Sequence, residues 1–297
     1  MTDQIQTPYT FMAVHAHPDD EVFGTGGTFA RLSARGVRTV LVTATGGEEG
    51  EIVDPSLDEA AKQAMFPRLA EVRREELLQA VRALNISELR RLGFRDSGMA
   101  GTEANNHPDS FHRALFHEAV KRLVAIMREF RPQVVATYDP FGSYGHPDHI
   151  QAHRVTLAAF EAAGESRCFP ELALEAWQPA KLYYIVSPRS AMVRGFKAMK
   201  ERGMPGPWDN PEMNMESMGT PDHLITTRVD VRDHMDQKLR AFQAHKTQLA
   251  PDGFMFTLPE EERRQFFGYE YFQLANRAPA SRIGDFEQDV FEGLGEK

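Results

Sequence analysis

Apolar residues in the first two thirds of the chain follow two alternating patterns. Short β-prone runs occur at Phe11 to His15 (FMAVH), Thr39 to Thr45 (TVLVTAT), Glu88 to Phe94, Gln133 to Tyr138 (QVVATY) and Lys181 to Val186 (KLYYIV). Between them lie stretches in which apolar positions recur every three or four residues. Gly24 to Gly36, Arg68 to Leu84, Phe111 to Phe130 and Asp148 to Ala163 therefore read as helices. Unbroken Val/Leu runs such as TVLVTAT suit strands buried on both faces of a parallel sheet. Strand–helix alternation of this kind predicts an α/β, Rossmann-like fold: a mostly parallel sheet with helices on both faces.

Beyond Ser190 the pattern weakens. Gly203 to Gly219 is rich in Met, Pro, Gly and Asn and reads as a long loop or lid that carries Trp208, Met213, Met215 and Met218. Thr226 to Val231 is a further strand candidate and His234 to His245 a further helix, while Lys181 to Val186 closes the main series. The expected organisation is a catalytic core over residues 1–190 and a C-terminal extension over 191–297 that completes the same domain.

Charge and composition narrow the function. A net charge of −9 over 297 residues argues against broad binding to nucleic acid or anionic membrane. The start, MTDQIQTPYT, lacks the basic and apolar regions of a signal peptide, and no apolar run nears the roughly eighteen residues that span a bilayer. A cytoplasmic protein is expected. Cys168 is the only cysteine, which excludes an internal disulfide and any cysteine-rich zinc cage. A bound metal would have to sit on His and carboxylate.

Two clusters offer such ligands. His15-Ala16-His17-Pro18-Asp19-Asp20-Glu21 ends the first strand, and Tyr144-Gly145-His146-Pro147-Asp148-His149 follows the fourth. Ligands of doubly wound sheets bind at the carboxyl ends of strands, where both clusters fall. Catalytic zinc takes three protein ligands and keeps one position open, which His17, Asp20 and His149 would satisfy. Asp19 and His146 are then left for proton traffic and charge stabilisation. The bland alternative is that these residues only cap helices and complement their dipoles. Either cluster alone is compatible with that; two at functional positions are not easily explained by it. His107, His112 and His117 lie in or near an amphipathic segment and read as structural or surface residues.

The motifs AHPDDE (Ala16 to Glu21) and HPDH (His146 to His149) resemble the LmbE-like, or PIG-L, family of zinc N-deacetylases. TATGGEEGE (Thr43 to Glu51), VRREEL (Val72 to Leu77), RDSGMAGT (Arg95 to Thr102) and AHKTQ (Ala244 to Gln248) extend the likeness over most of the chain. Within that family the motifs resemble most the mycothiol-pathway members. The resemblance implies a Rossmann-like fold and a zinc ion on His17, Asp20 and His149, with Fe(II) also acceptable to such a set. It implies Asp19 as general base, a protonated His146 stabilising the developing charge, Asp148 orienting or tuning His146, and a mobile Tyr144 polarising the amide carbonyl. Arg73 and Asp96 match residues that hold the sugar, and Glu48 is a further candidate to line the pocket.

The implied reaction is hydrolysis of the acetamide of an N-acetylglucosamine conjugate in low-molecular-weight thiol synthesis, of the mycothiol or bacillithiol kind. An amidase of the same family that cleaves thiol S-conjugates shares the ligands, so motifs do not separate the two. The expected partner is a small-molecule sugar conjugate; homo-oligomerisation is compatible with the sequence. A non-catalytic nucleotide-binding module is disfavoured. Gly24-Thr25-Gly26-Gly27 lacks the G-x-G-x-x-G spacing, and Asp19-Asp20-Glu21 upstream would repel a pyrophosphate.

Overall fold

The computed structural model describes residues 9–204, 206, 209, 218–275 and 286–295. Strand β1 (Thr10–His15) is followed by α1 (Asp20–Gly24), α2 (Gly26–Ala34) and β2 (Arg38–Thr45). Next come α3 (Glu59–Met65), α4 (Leu69–Ala83), β3 (Glu88–Phe94), α5 (Phe116–Phe130) and β4 (Val134–Tyr138). The short α6 (Gly142–Gly145) leads into α7 (Pro147–Gly164), β5 (Lys181–Val186) and α8 (Arg189–Glu201). The chain continues through β6 (Thr227–Asp230), α9 (Met235–Ala244), α10 (Phe254–Thr257), α11 (Glu260–Phe267) and β7 (Tyr269–Leu274).

The strands form a seven-stranded sheet in the order β3-β2-β1-β4-β5-β7-β6. The first five are parallel; β7 pairs antiparallel with both β5 and β6. Alternate side chains of β1 feed opposite cores, as a period of two requires. Phe11 and Ala13 face Phe29, Leu77, Leu84 and Phe242 of α2, α4 and α9's side. Met12 and Val14 face Leu123, Met127, Val155 and Phe160 of α5 and α7. Helices on both faces make this the α/β architecture expected.

Three details differ from the expectation. The predicted helix over Gly24 to Gly36 breaks into α1 and α2 around Thr25, whose hydroxyl turns back to the Glu21 carbonyl at 2.8 Å. The helix expected from Phe111 starts at Phe116, because the Phe111 and His112 amides are tied to the Arg95 carbonyl and the Ser97 hydroxyl. The series also does not end at β5. Strand β7 was hidden because its buried position Glu270 is charged; that carboxylate pairs with Lys238 at 2.6 Å. The predicted lid residues Trp208, Met213 and Met215 lie outside the described residues.

The order of the parallel strands reverses between β1 and β4. A crevice opens at their carboxyl ends at such a switch point, and both His/Asp clusters follow those two strands.

Candidate metal centre and active site

The backbone after β1 turns sharply. Asp19 has φ 109° and ψ −29°, a left-handed conformation that L-residues rarely adopt. The turn directs Asp20 inward, where its Oδ2 accepts from the His17 amide (2.7 Å) and the Tyr138 hydroxyl (2.7 Å). Tyr138 is itself fixed at the end of β4 by accepting the Ala16 amide at 2.8 Å. On the other side, Gly142, with φ 66°, lets α6 approach α7 so closely that a Cβ there would collide with His149.

Three polar groups converge. His17 Nδ1 lies 3.3 Å from Asp20 Oδ2, His149 Nε2 lies 3.3 Å from Asp20 Oδ1, and the two ring nitrogens are 3.3 Å apart. Ligands held at about 2.0–2.1 Å around a tetrahedral cation are separated by about 3.3–3.4 Å. The remaining ring nitrogens decide the tautomers. His149 Nδ1 is 3.2 Å from the Gly142 carbonyl, so it donates there and turns the Nε2 lone pair inward. His17 Nε2 faces Asp148 Oδ2 at 3.3 Å and Asp96 Oδ1 at 3.4 Å, which turns its Nδ1 lone pair to the same point.

His17, Asp96 and Asp148 form a buried group that could hold a metal ion, and so do His17, His146 and His149. The donor chemistry separates these sets. On its Nε2 side His17 meets two carboxylates already engaged elsewhere: Asp148 accepts from the Ser97 amide (2.8 Å) and hydroxyl, and Asp96 from the Gly98 amide (2.9 Å). That is the pattern of groups orienting a ligand imidazole. On its Nδ1 side His17 meets the His149 Nε2 lone pair and the Asp20 carboxylate, whose hydrogen bonds from the His17 amide and Tyr138 hydroxyl both fall on Oδ2 and leave Oδ1 turned to His149.

Charge follows the same geometry. Burial disfavours a charged His17, yet Asp96 and hydrogen bonds to Asp148 and Asp20 lift its pKa well above the ordinary value. Burial also opposes ionisation of Asp20, but His149 and His17 hold its carboxyl well below the usual range. Burial pushes the Asp19 carboxyl up to about 6, against the pull of Arg73.

The other predicted residues lie around this point. His146 caps α7, its Nδ1 accepting the Asp148 amide at 3.1 Å. Nδ1 therefore carries no proton, and the ring donates through Nε2–H as a neutral imidazole rather than as the imidazolium expected. Burial accordingly lowers its pKa to about 4. Asp148 was expected to orient or tune His146; its carboxylate accepts from Ser97 and lies beside His17, so it does not orient the His146 ring, while its charge pulls the His146 pKa upward against burial. Tyr144 is exposed at the rim, its ring 4.9 Å from that of His149.

Arg73 was expected at the sugar. It is 2% exposed and donates to the Gly47 carbonyl (2.7 Å), the Pro18 carbonyl (2.5 Å) and Asp19 Oδ2 (3.1 Å). The Gly-rich loop wraps it so tightly that a Cβ on Gly47 or Gly50 would overlap the guanidinium. Glu48 and Asp96 staple two loops together: Glu48 Oε2 accepts the Asp96 amide at 2.9 Å, and Asp96 Oδ2 accepts the Glu49 amide at 3.3 Å. His107, at 42% side-chain exposure, pairs loosely with Asp109, while His112 hydrogen-bonds the Asn105 carbonyl and His117 packs on Phe169. Tyr138, Ser97 and His245 were given no role by the sequence. Tyr138 ends the fourth predicted strand, and Ser97 and His245 fall inside the RDSGMAGT and AHKTQ motifs, but the groups they touch lie on distant loops.

Residues 12–160 match the PIG-L family model, described as GlcNAc-PI de-N-acetylase. A Catenulispora acidiphila protein named 1D-myo-inositol 2-acetamido-2-deoxy-alpha-D-glucopyranoside deacetylase 1 is 42% identical over 289 residues, covering 96% of this chain and 89% of that protein. The chain belongs to the PIG-L family. A Thermobifida fusca deacetylase named for the same inositol glycoside is 43% identical, covering 94% of this PIG-L protein and 98% of the relative.

Among solved structures, N,N'-diacetylchitobiose deacetylase from Pyrococcus horikoshii superposes with a TM-score of 0.60 at 22% identity, covering 90% of this chain and 83% of that one. A 4-carboxy-2-hydroxymuconate hydratase from Pseudomonas putida KT2440 has the same fold, with a TM-score of 0.58 at 16% identity, covering 93% of this chain and 100% of that one. At these identities the likeness concerns the fold alone. The PIG-L architecture is therefore no guide to the reaction, which must be argued from the site. Among the described residues no helix is long and apolar enough to cross a membrane.

Proposed function

We propose that this PIG-L protein hydrolyses the acetamide of an N-acetylglucosaminyl-inositol conjugate, releasing acetate and a free glucosamine, in the manner its relatives' names describe. The reading places zinc on His17, Asp20 and His149, with Fe(II) as an alternative occupant, and the reaction in the reducing cytoplasm, where the free Cys168 is at home. The observation that carries it is the convergence of two imidazole lone pairs and one carboxylate at mutual distances of 3.3 Å beside Asp19.

Zinc held there would supply Lewis-acid activation of water and of the acetamide carbonyl. The protein does the rest. Asp19, its Oδ2 held by Arg73, accepts at Oδ1 the proton of the water whose oxygen bonds to the acetyl carbon. Nε2–H of His146 and the Tyr144 hydroxyl donate to the carbonyl oxygen as it gains charge. The carbon–nitrogen bond then breaks, and Asp19 returns its proton to the sugar nitrogen. Arg73 and Asp96 shape the sugar side of the cleft by holding the loops at Gly47 and Glu49.

The test is acetate release from N-acetylglucosaminyl-inositol by protein carrying one zinc per chain, lost on chelation and regained with zinc. Losses of about 10²–10³ in rate are expected for His146→Ala, and larger ones for Asp19→Ala with zinc retained. Zinc-loaded protein that releases no acetate, or an Asp19→Ala variant as fast as the parent, would overturn the reading. Preferential cleavage of a thiol S-conjugate in a parallel assay would move it to the amidase branch.

A further inference from the structure

The strained conformation of Asp19 has to be held by something, and the structure supplies two supports. One is Arg73 on its carboxylate. The other is Glu21, whose Oε2 accepts the Asp19 backbone amide at 3.0 Å. The second oxygen of Glu21 is gripped by His245 Nε2 at 2.6 Å, with both side chains fully buried. His245 sits at the end of α9, 224 residues from Glu21 in sequence. Its Nδ1 has no hydrogen-bond partner among the described residues, so the bond to Glu21 is the ring's one hydrogen bond there. A leucine or phenylalanine would fill the same space with no unpaired nitrogen. The imidazole is explained by what it does to Glu21.

The same segment also reaches the other support. The Thr247 amide and hydroxyl donate to Glu76 at 2.8 and 2.7 Å, one turn along α4 from Arg73. The Val53 amide donates to the Thr247 carbonyl at 2.8 Å, closing the loop that wraps Arg73. Residues 245–247 thus brace the turn at Asp19 from both sides.

We infer that His245 is a positioning residue for the reaction, holding Asp19 in its left-handed conformation through Glu21 and the Asp19 amide. The inference rests on the reading of Asp19 as the base. Without His245 the Glu21 carboxylate is free to swing, the Asp19 amide loses a fixed acceptor, and the turn relaxes. The carboxylate then meets the attacking water in the wrong place, while His17, Asp20 and His149 keep their own hydrogen bonds and still bind zinc.

The experiment compares parent, His245→Ala and His245→Gln as zinc-loaded enzymes, together with a crystal structure of His245→Ala. Orienting groups of this kind are worth about 10–100-fold. His245→Ala is expected to lose that much in kcat, with KM within about twofold of the parent and zinc content unchanged. His245→Gln, which can still donate to Glu21, is expected to recover most of the loss. The crystal structure is expected to have Asp19 out of its positive-φ conformation. If His245→Ala does not fold, the pair Glu21→Gln/His245→Phe leaves no buried charge unpaired and decides the case by the same kcat criterion. A folded variant with kcat within about twofold of the parent, or with Asp19 unmoved, overturns the inference. Parent enzyme that binds zinc but releases no acetate counts against the deacetylase reading instead, and the Asp19 conformation still decides this one.

Discussion

Arg73 reaches Asp19 twice, through Oδ2 at 3.1 Å and through the Pro18 carbonyl at the peptide just before it. The fixed fork of the guanidinium holds the Asp19 carboxylate and the Pro18 carbonyl through Nη2 and the Gly47 carbonyl of the facing loop through Nη1; a lysine offers one nitrogen in place of these two. Since Arg73 is buried, its first duty is to Asp19.

That arrangement makes a kinetic distinction. If Arg73 braces Asp19, Arg73→Lys and Arg73→Ala lower kcat by about 10², the cost of misplacing a reacting group by roughly an ångström, and leave KM nearly unchanged. If it grips the sugar alone, KM rises and kcat holds. Steady-state kinetics on the zinc-loaded variants, with varied N-acetylglucosaminyl-inositol, distinguish the two; a pure KM effect would sink the bracing role.

Tyr138→Phe is expected to weaken zinc binding. The hydroxyl is shared between the Ala16 amide and Asp20 Oδ2, so its loss leaves the carboxylate with one fewer fixed donor. Orienting groups behind a metal ligand are worth about 10–100-fold in affinity. Competition against a chromophoric chelator measures the change directly. An affinity equal to that of the parent would mean Asp20 needs no help from β4.

How much of this was legible in the residues alone depends on where each signal lies. Unbroken apolar runs such as Thr39 to Thr45 announce parallel strands because both faces are buried, and β2 is found there with seven of its eight residues buried. The two His/Asp clusters were visible because residues of ligand chemistry are packed into a few consecutive positions. Partners dispersed along the chain were not. Ser97 and His245 lie inside quoted motifs and Tyr138 ends a predicted strand, yet what each one touches follows only from the fold, which brings them to Asp148, Asp20 and Glu21. Asp148 carries the same lesson: adjacency to His146 suggested an orienting partner, but a helix start points the carboxylate to Ser97 and leaves only its charge to act on His146.

Lys238 and Glu270 join the C-terminal elements to the first helices. The pair is 2.6 Å apart and almost fully buried, and Glu270 also accepts the Gly27 and Thr28 amides at the start of α2. Lys238→Met removes the cation and leaves a buried carboxylate facing only those amides. Breaking one side of a buried pair costs about 3–5 kcal/mol, and chemical denaturation should register that loss. Lys238→Met/Glu270→Gln should regain a large part of it; no recovery would mean that the packing of the lysine stem, rather than charge, matters.

The buried His245–Glu21 pair makes stability depend on pH in a definite direction. Burial opposes protonation of His245, but Glu21, Asp19 and Glu76 facing it raise its pKa above the ordinary value. A group whose pKa is raised on folding binds its proton more tightly in the native state. Its contribution is therefore complete below the unfolded value of about 6.5 and fades as pH climbs through the higher folded one. The difference in melting temperature between parent and His245→Gln, both zinc-loaded, should be largest near pH 6 and shrink towards pH 9. A difference that stays constant, or grows with pH, would mean that His245 holds Glu21 as a neutral donor.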